Sequence, residues 1–350
     1  MPDIIDASLR HLDALRSRFC VSGFQTVYVG GGTPSALDHR LLGSYLQALR
    51  RAAGKPLTEF TVEANPQDLD MDFLSMLSDL GVNRLSLGVQ SLEEKPRLHV
   101  LRRGSLVQVH TALALIAGHW KGRWSCDLMY GLPGQSAEGI RADAAFLTGL
   151  GAGHLSMYEL TLCEDTVLGK AVATGALRLP EADEAHEQYR AAKSAIEAAG
   201  LQRYEVSNWA IPGQESEHNS AYWSMAGWLG IGPSASATVR YPYGFLRMDA
   251  QADIASYCRD PLAATSETQV PGATAGFEIV MMGLRTRMGF QFSELASLAG
   301  HSRAEAVRAT LAGFPQHVLV DDTRAYPTDV GMDMLNPVLL ACLETLSGEA

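Results

Sequence analysis

The sequence predicts an α/β fold built on a parallel sheet, followed by a smaller module of helices and a short wing. Three observations lead there. Short apolar strands alternate with amphipathic helices through the first two-thirds of the chain, each strand ends in glycine or polar residues, and the composition shifts after Asn208.

The first strand is expected at 25–30, where Val27, Tyr28 and Val29 suit a pleated, packed strand. It runs straight into Gly30-Gly31-Gly32-Thr33-Pro34. Three glycines let the backbone take positive φ and approach a ligand closely, with amide N–H groups free to meet an anion. Further strands are expected at 58–63, 84–88, 124–130, 154–159 and 204–207, with helices at 41–52, 71–80, 106–117, 137–150 and 184–199. Leu74, Leu77 and Leu80 recur at intervals of three, and Ala192, Ala195, Ile196 and Ala199 keep one helix face apolar. Repeated β–α units imply a parallel sheet with right-handed crossovers. Six such strands form either an open sheet or part of a barrel, and periodicity does not choose between them.

In both architectures ligands bind beyond the carboxyl ends of the strands. There the chain places the Gly30 turn, Glu63-Ala64-Asn65-Pro66, Gly88-Val89-Gln90-Ser91 and, after Asp127, Tyr130-Gly131-Leu132-Pro133-Gly134-Gln135. Any one of these loops is ordinary turn or helix-cap punctuation. Four successive strand ends of this kind on one edge point to a ligand site.

Beyond Asn208, His218-Asn219-Ser220-Ala221-Tyr222-Trp223 and Trp228-Leu229-Gly230-Ile231-Gly232-Pro233 form an aromatic, glycine-rich segment. Residues 266–275 read as a linker. Helices are then expected at 276–287, 291–298 and 303–313, a hairpin at 318–320 and 324–326, and a last helix near 332–346. That is winged-helix-like, but its surface is not basic. A formal charge of -11, from 39 acidic and 28 basic residues, argues against a nucleic-acid partner. The five cysteines (Cys20, Cys126, Cys163, Cys258, Cys342) stand singly, without metal-ligand spacing, and their odd number argues against a disulfide framework. No apolar run approaches the roughly 20 residues of a membrane span, and the first residues lack the pattern of a signal peptide. A cytoplasmic location is expected.

Together, Gly30-Gly31-Gly32-Thr33-Pro34, Glu63-Ala64-Asn65-Pro66, Arg84-Leu85-Ser86-Leu87-Gly88-Val89-Gln90-Ser91, Asp127-Leu128-Met129-Tyr130-Gly131-Leu132-Pro133-Gly134-Gln135 and Tyr204-Glu205-Val206-Ser207-Asn208 resemble the radical S-adenosylmethionine (SAM) proteins of the oxygen-independent coproporphyrinogen III oxidase group. His218-Asn219-xx-Tyr222-Trp223 with Gly230-Ile231-Gly232-Pro233 is similar to the haem chaperone (HemW) branch. The resemblance covers nearly the whole chain. It implies a partial (β/α)6, TIM-like barrel of parallel strands with its first strand missing over 1–210, an aromatic segment completing the core over 211–265, and a C-terminal α+β winged-helix-like domain over 276–350.

The resemblance also implies the site. Gly30, Gly31, Gly32 and Thr33 would meet the methionyl end of S-adenosylmethionine, with Glu63, Gln90, Arg102 and Asp127 at the other cofactor-contacting positions. Read from the residues alone, Glu63 could cap the following helix and Arg102, beside Arg103, could be a solvated cation. Asp127 interrupts an apolar strand, where an unpaired carboxylate is costly, and so favours a bound partner. Gln135 is expected to be a turn residue. His218 is the position associated with haem, for which a neutral imidazole is a normal axial ligand. Its alternative is a local hydrogen-bonding role that orients Asn219 and the Tyr222/Trp223 pair. The implied function is haem binding and delivery to an apo-haemoprotein. The alternatives are a radical enzyme of porphyrin biosynthesis acting on a porphyrinogen, and a non-catalytic binding scaffold.

The sequence departs from the pattern in one major respect. The first strand and the C-x3-C-x2-C ligands of a 4Fe–4S cluster would lie upstream of Gly30, and only Cys20 stands there. One thiolate cannot replace three converging on one cluster. Residues 4–19 read instead as the helix that follows the cluster loop. Histidine is also usual where Gly104 and Ser236 stand. A reading frame begun at an internal methionine and a cluster-free paralogue both account for this, so the cluster is expected only with a further N-terminal segment. No catalytic residue is assigned, and enzymatic activity stays open.

Overall fold

In the computed structural model, residues 2–100 and 104–347 are described. Helix α1 (Pro2–Arg18) leads into β1 (Thr26–Val29), and a βα repeat follows: α2 (His39–Ala52), β2 (Glu59–Ala64), α3 (Met71–Asp79), β3 (Arg84–Gln90), α4 (Glu94–His99), α5 (Leu106–His119), β4 (Arg123–Tyr130), α6 (Ala137–Gly149) and β5 (His154–Glu159). The helices start at side-chain caps that satisfy their free N–H groups. Asp38, Asp70 and Ser136 accept from the first turns of α2, α3 and α6, and Ser105 with Gln108 forms a capping box on α5. Leu42, Leu46 and Leu49 form the buried stripe of α2.

Strands β1 to β5 pair in order and in parallel. After α7 (Val167–Ala173) and α8 (Ala182–Ala198) come β6 (Gln202–Glu205) and β7 (Asn208–Ala210), and the sheet order is β1-β2-β3-β4-β5-β7-β6. Strand β7 enters between β5 and β6 and runs against both. The strand expected at 204–207 therefore keeps its parallel sense but lies one place further out. Only Val206 and Ser207 separate β6 from β7, and a chain reversing that quickly pairs antiparallel.

The sheet has two unlike faces. Phe60, Val62, Leu85, Leu87, Val89, Trp124, Cys126, Leu128, Leu155 and Met157 enter one apolar core with the surrounding helices. By strand alternation Thr61, Glu63, Arg84, Ser86, Ser125, Asp127, Ser156 and Tyr158 take the other face. Parallel strands buried on both sides read as unbroken apolar runs; these alternate because the inner face is polar. The sheet curls around helix α9 (Glu217–Trp223), whose first turn meets Thr26 of β1, Glu59 of β2 and Arg123 of β4. A flat sheet, with strands about 4.8 Å apart, would hold β1 too far from β4 for that.

Strands β8 (Ser236–Tyr241) and β9 (Gly244–Ala250), helix α10 (Ile254–Arg259) and β10 (Thr265–Pro271) follow, and the strands form a second, antiparallel sheet of order β10-β9-β8. The segment expected to be a linker at 266–275 is therefore β10 and the start of α11 (Gly272–Gly283). It carries no apolar alternation because Ser266, Glu267, Thr268 and Gln269 lie exposed on an edge strand. Gly244 admits this pairing: with φ +151, a Cβ there would lie 2.1 Å from the Val270 carbonyl oxygen. Beyond it come β11 (Phe290–Gln291), α12 (Phe292–Ala299), α13 (His301–Ala312), β12 (Val318–Val320), β13 (Arg324–Pro327), α14 (Asp329–Asp333) and α15 (Asn336–Ser347). The wing is three-stranded, β11-β13-β12, and its helices share a core of Ile279, Val307, Leu311, Val338 and Cys342. Among the described residues no helix is long and apolar enough to cross a membrane.

The C-terminal part covers the open edge of β6. Val206 N–H donates to the Arg285 carbonyl and Arg287 N–H to that of Tyr204, which removes an unpaired edge. Asp333 accepts from Tyr189 Oη, Lys193 Nζ and the buried Arg203 guanidinium. Asp333→Ala leaves that guanidinium only the Val206 carbonyl as hydrogen-bond acceptor and is expected to lower stability by about 2–3 kcal/mol; an unchanged urea midpoint would contradict a clasp.

Candidate functional site

The glycine turn after β1 is held by Glu63. Tyr28 Oη donates to Glu63 Oε1 at 2.6 Å, and Gly31 N–H donates to Oε2 at 3.3 Å. Glu63 thus braces the neighbouring strand end instead of capping a helix. A Cβ at Gly30 would lie 2.5 Å from the Glu63 carboxyl carbon and 2.7 Å from the Tyr28 ring, so a side chain there would force that pair to shift. Gly31 has φ +81, and a Cβ on Gly31 or Gly32 would meet nothing within 4 Å. The turn is an open cradle. Ser35 ties it to the end of β2, donating to Asp68 Oδ2 and accepting from Asn65 N–H.

Gln90 ends β3 with φ +69, a left-handed conformation for a non-glycine residue that is 6% exposed. Such a residue costs about 1–3 kcal/mol and persists only when its surroundings over-determine it. Here Arg97 Nη1 donates to the Val89 and Ser91 carbonyls, and Asp143 accepts from Ser91 Oγ and Leu92 N–H. Asp127 lies in mid-sheet, and its charge acts on both Tyr28 and Tyr158. Gln135 is a turn residue: Nε2 donates to the Met129 carbonyl and Oε1 accepts from Leu132 N–H.

Glu59 forms the floor. It is fully buried and accepts from Arg84 Nε at 2.9 Å, Ser216 Oγ at 2.9 Å, Glu217 N–H at 3.0 Å and His218 N–H at 3.2 Å. A carboxylate thus sits on the N-terminus of α9, where it is favoured. Burial pushes its pKa up, but Arg84 and these donors outweigh burial and hold it below the ordinary range. His218, next along, is half-buried: Nδ1 lies 2.9 Å from Thr26 Oγ1, and the ring stacks on Tyr28 with centroids 5.1 Å apart and planes 23° apart. Burial lowers its pKa, against the opposing pull of Glu59.

On the opposite wall, His154 Nε2 lies 2.8 Å from Tyr204 Oη, and burial with Arg84 nearby pushes its pKa down to about 3. Glu205 is fully buried beside Asn208, and burial raises its pKa to about 7 against the Ser207 N–H and Arg203.

Residues 11–147 match the sequence profile of the radical SAM superfamily. The chain is 32% identical to the protein of Bacillus subtilis (strain 168) named heme chaperone HemW, over 92% of this chain and 86% of that one. The chain belongs to the HemW haem chaperone family. The HemW of Lactococcus lactis subsp. lactis (strain IL1403) is 36% identical over 68% of this chain, and the match spans 64% of that relative's length. Coproporphyrinogen III oxidase (HemN) from Escherichia coli, a radical SAM enzyme, superposes with a TM-score of 0.79 at 19% identity, covering 97% of this chain and 82% of that one. The fold is thus the partial radical SAM barrel.

Radical SAM membership implies S-adenosylmethionine and a 4Fe–4S cluster. The HemW-family chain fits the first: the open backbone at Gly31 and Gly32 and the adjacent carboxylate suit a zwitterionic methionine head. It does not fit the second. Cys126 and Cys342 are buried, Cys20 and Cys163 are exposed and Cys258 is intermediate; among the described residues no three of His, Cys, Asp or Glu gather as a metal site.

Of the residues singled out from the sequence, the fold brings Gly30, Gly31, Gly32, Thr33 and Glu63 together around one turn, and Gln90 and Asp127 to neighbouring strands. Arg102 lies outside the described residues. Gly104 takes φ +82, a left-handed conformation that glycine adopts without strain. Sequence reasoning missed Tyr28, Glu59 and Thr26. Their signal was the polar–apolar alternation of β1 and β2.

Glu205 generates a pH test. Its ordinary pKa is 4.5 and its folded value about 7, so between them the folded state holds a proton the unfolded state has lost. Stability must then fall as pH rises through that window, by roughly 2–3 kcal/mol. Glu205→Gln should flatten this decline in urea unfolding measured from about pH 5 to 8; parallel profiles for the two proteins would refute the assignment.

Proposed function

We propose that this chain binds haem through His218 and passes it to an apo-haemoprotein, with S-adenosylmethionine held at the glycine turn of the same partial barrel. The observation that supports the reading is the seating of His218. With the proton on Nδ1 it donates to Thr26 Oγ1, which leaves Nε2 with a lone pair and, among the described residues, no hydrogen-bond partner. Burial keeps the ring neutral, the form in which imidazole binds iron. Tyr222 lies one turn further along the same helix face. It is 44% exposed, with the Trp228 ring 4.4 Å and the Trp223 ring 6.5 Å away. A flat porphyrin is held by such aromatic surface. On release, the bond from Nε2 to the iron would break and a ligand of the acceptor would take its place.

S-adenosylmethionine would be held by Gly30, Gly31, Gly32, Thr33, Glu63, Gln90 and Asp127, with Glu63 supplying a negative charge beside the turn. When bound, it supplies a sulfonium whose reductive cleavage needs an electron donor. The cysteines of this chain do not build one, so no radical step is derived from these residues.

Haemin titration tests the reading. The wild-type chain should shift the Soret band at stoichiometric haemin, and His218→Ala should lose the shift or weaken binding by at least about tenfold, more than 1.4 kcal/mol. Superimposable titrations would sink ligation at His218.

A further inference from the structure

We propose that Tyr28 is a positioning residue that couples the two ligand sites, so that haem on His218 orders the glycine turn and strengthens S-adenosylmethionine binding. This rests on the haem-handling reading above. Tyr28 joins the sites through both ends of one rigid side chain. Its ring stacks on His218 at 5.1 Å, and its hydroxyl donates at 2.6 Å to Glu63 Oε1. The other oxygen of that carboxylate accepts from Gly31 N–H, the amide at the centre of the open turn. The path from Nε2 to Gly31 therefore runs through one imidazole, one phenol and one carboxylate, with no solvent layer between them.

Each link has little slack. His218 is held from two further sides, by Thr26 Oγ1 on Nδ1 and by Glu59 on its backbone N–H. Its ring therefore cannot turn away without breaking the Thr26 contact. Burial and the nearby Glu63 raise the Tyr28 pKa well above its ordinary range, so the phenol stays a hydrogen-bond donor at any working pH. A Cβ on Gly30 would strike both Glu63 and Tyr28, so the turn lies directly against the pair that would move. By contrast, Gly31 and Gly32 touch nothing on their open side and are the part of the path with freedom to lose. A ligand that immobilises His218 also immobilises Tyr28 and Glu63 and bears part of the ordering cost of the turn, so the second ligand binds more tightly.

Amide exchange of the 30–36 turn reads this coupling without requiring cofactor chemistry. Haemin should slow exchange at Gly31 and its neighbours in the wild type. In Tyr28→Phe, which keeps the ring stack but removes the hydroxyl, the Soret shift should persist while the turn no longer responds. By reciprocity, haemin should tighten S-adenosylmethionine binding by about fivefold or more, S-adenosylmethionine should tighten haemin binding by the same factor, and Tyr28→Phe should abolish both. Thr26→Val, which frees Nδ1, should weaken the response and serves if Tyr28→Phe does not fold. A Soret shift with no change at the turn, or an equal change in Tyr28→Phe, overturns the coupling alone. No Soret shift in the wild type overturns the haem reading and the coupling with it.

Discussion

The charge pair between Glu59 and Arg84 holds the interior together. Their side chains are 0% and 2% exposed, and the desolvation cost of such a pair is offset by the further hydrogen bonds that its members make. Arg84 Nη2 donates to the Gln214 and Glu215 carbonyls, at 2.7 and 2.8 Å, while its Nη1 has no hydrogen-bond partner among the described residues. Glu59 receives the first turn of α9. The pair therefore joins two strands of the sheet to the loop and helix that fill its concave side. Without it, the first turn of α9 would lose its buried anchor on β2 and keep only the contacts of His218 with Thr26 and Tyr28 and of Glu217 with Arg123.

From that anchor the site follows by geometry. The helical half of the molecule needs an apolar sheet face, and β2 to β5 supply it at alternate positions. The same alternation leaves carboxylates, hydroxyls and cations on the inside. The fold thus separates stability from ligand chemistry across a single sheet, with the strand ends carrying the glycine turn and α9 carrying the histidine. The C-terminal module fits this division. It covers the sheet edge through backbone pairing at Tyr204 and Val206, and its own helices keep a separate core.

Much of this was legible in the chain. The βα repeat was plain because its longer helices α2, α3, α5 and α6 each have a side-chain cap and a buried apolar stripe, and the strands have turns at their ends. The glycine turn was legible because positive φ and close approach leave few residue choices. Strand β10 was not, because an exposed edge strand needs no apolar alternation and its Ser266–Gln269 stretch looks like loop. Strand β7 was hidden by being three residues long. The site roles of Glu59 and Tyr28 were missed because one carboxylate and one phenol in separate strands carry no motif, and their partners lie far away in sequence.

By itself, the sequence determined the βα repeat of the parallel sheet, the family and the residues around the glycine turn, because those depend on local backbone demands and on motifs a few residues long. Only the tertiary structure decided that His218 faces Tyr28. The Thr26–His218 contact spans 192 residues, and nothing local to either end specifies it. It arises because a curled sheet and a buried charge pair bring the start of α9 against β1.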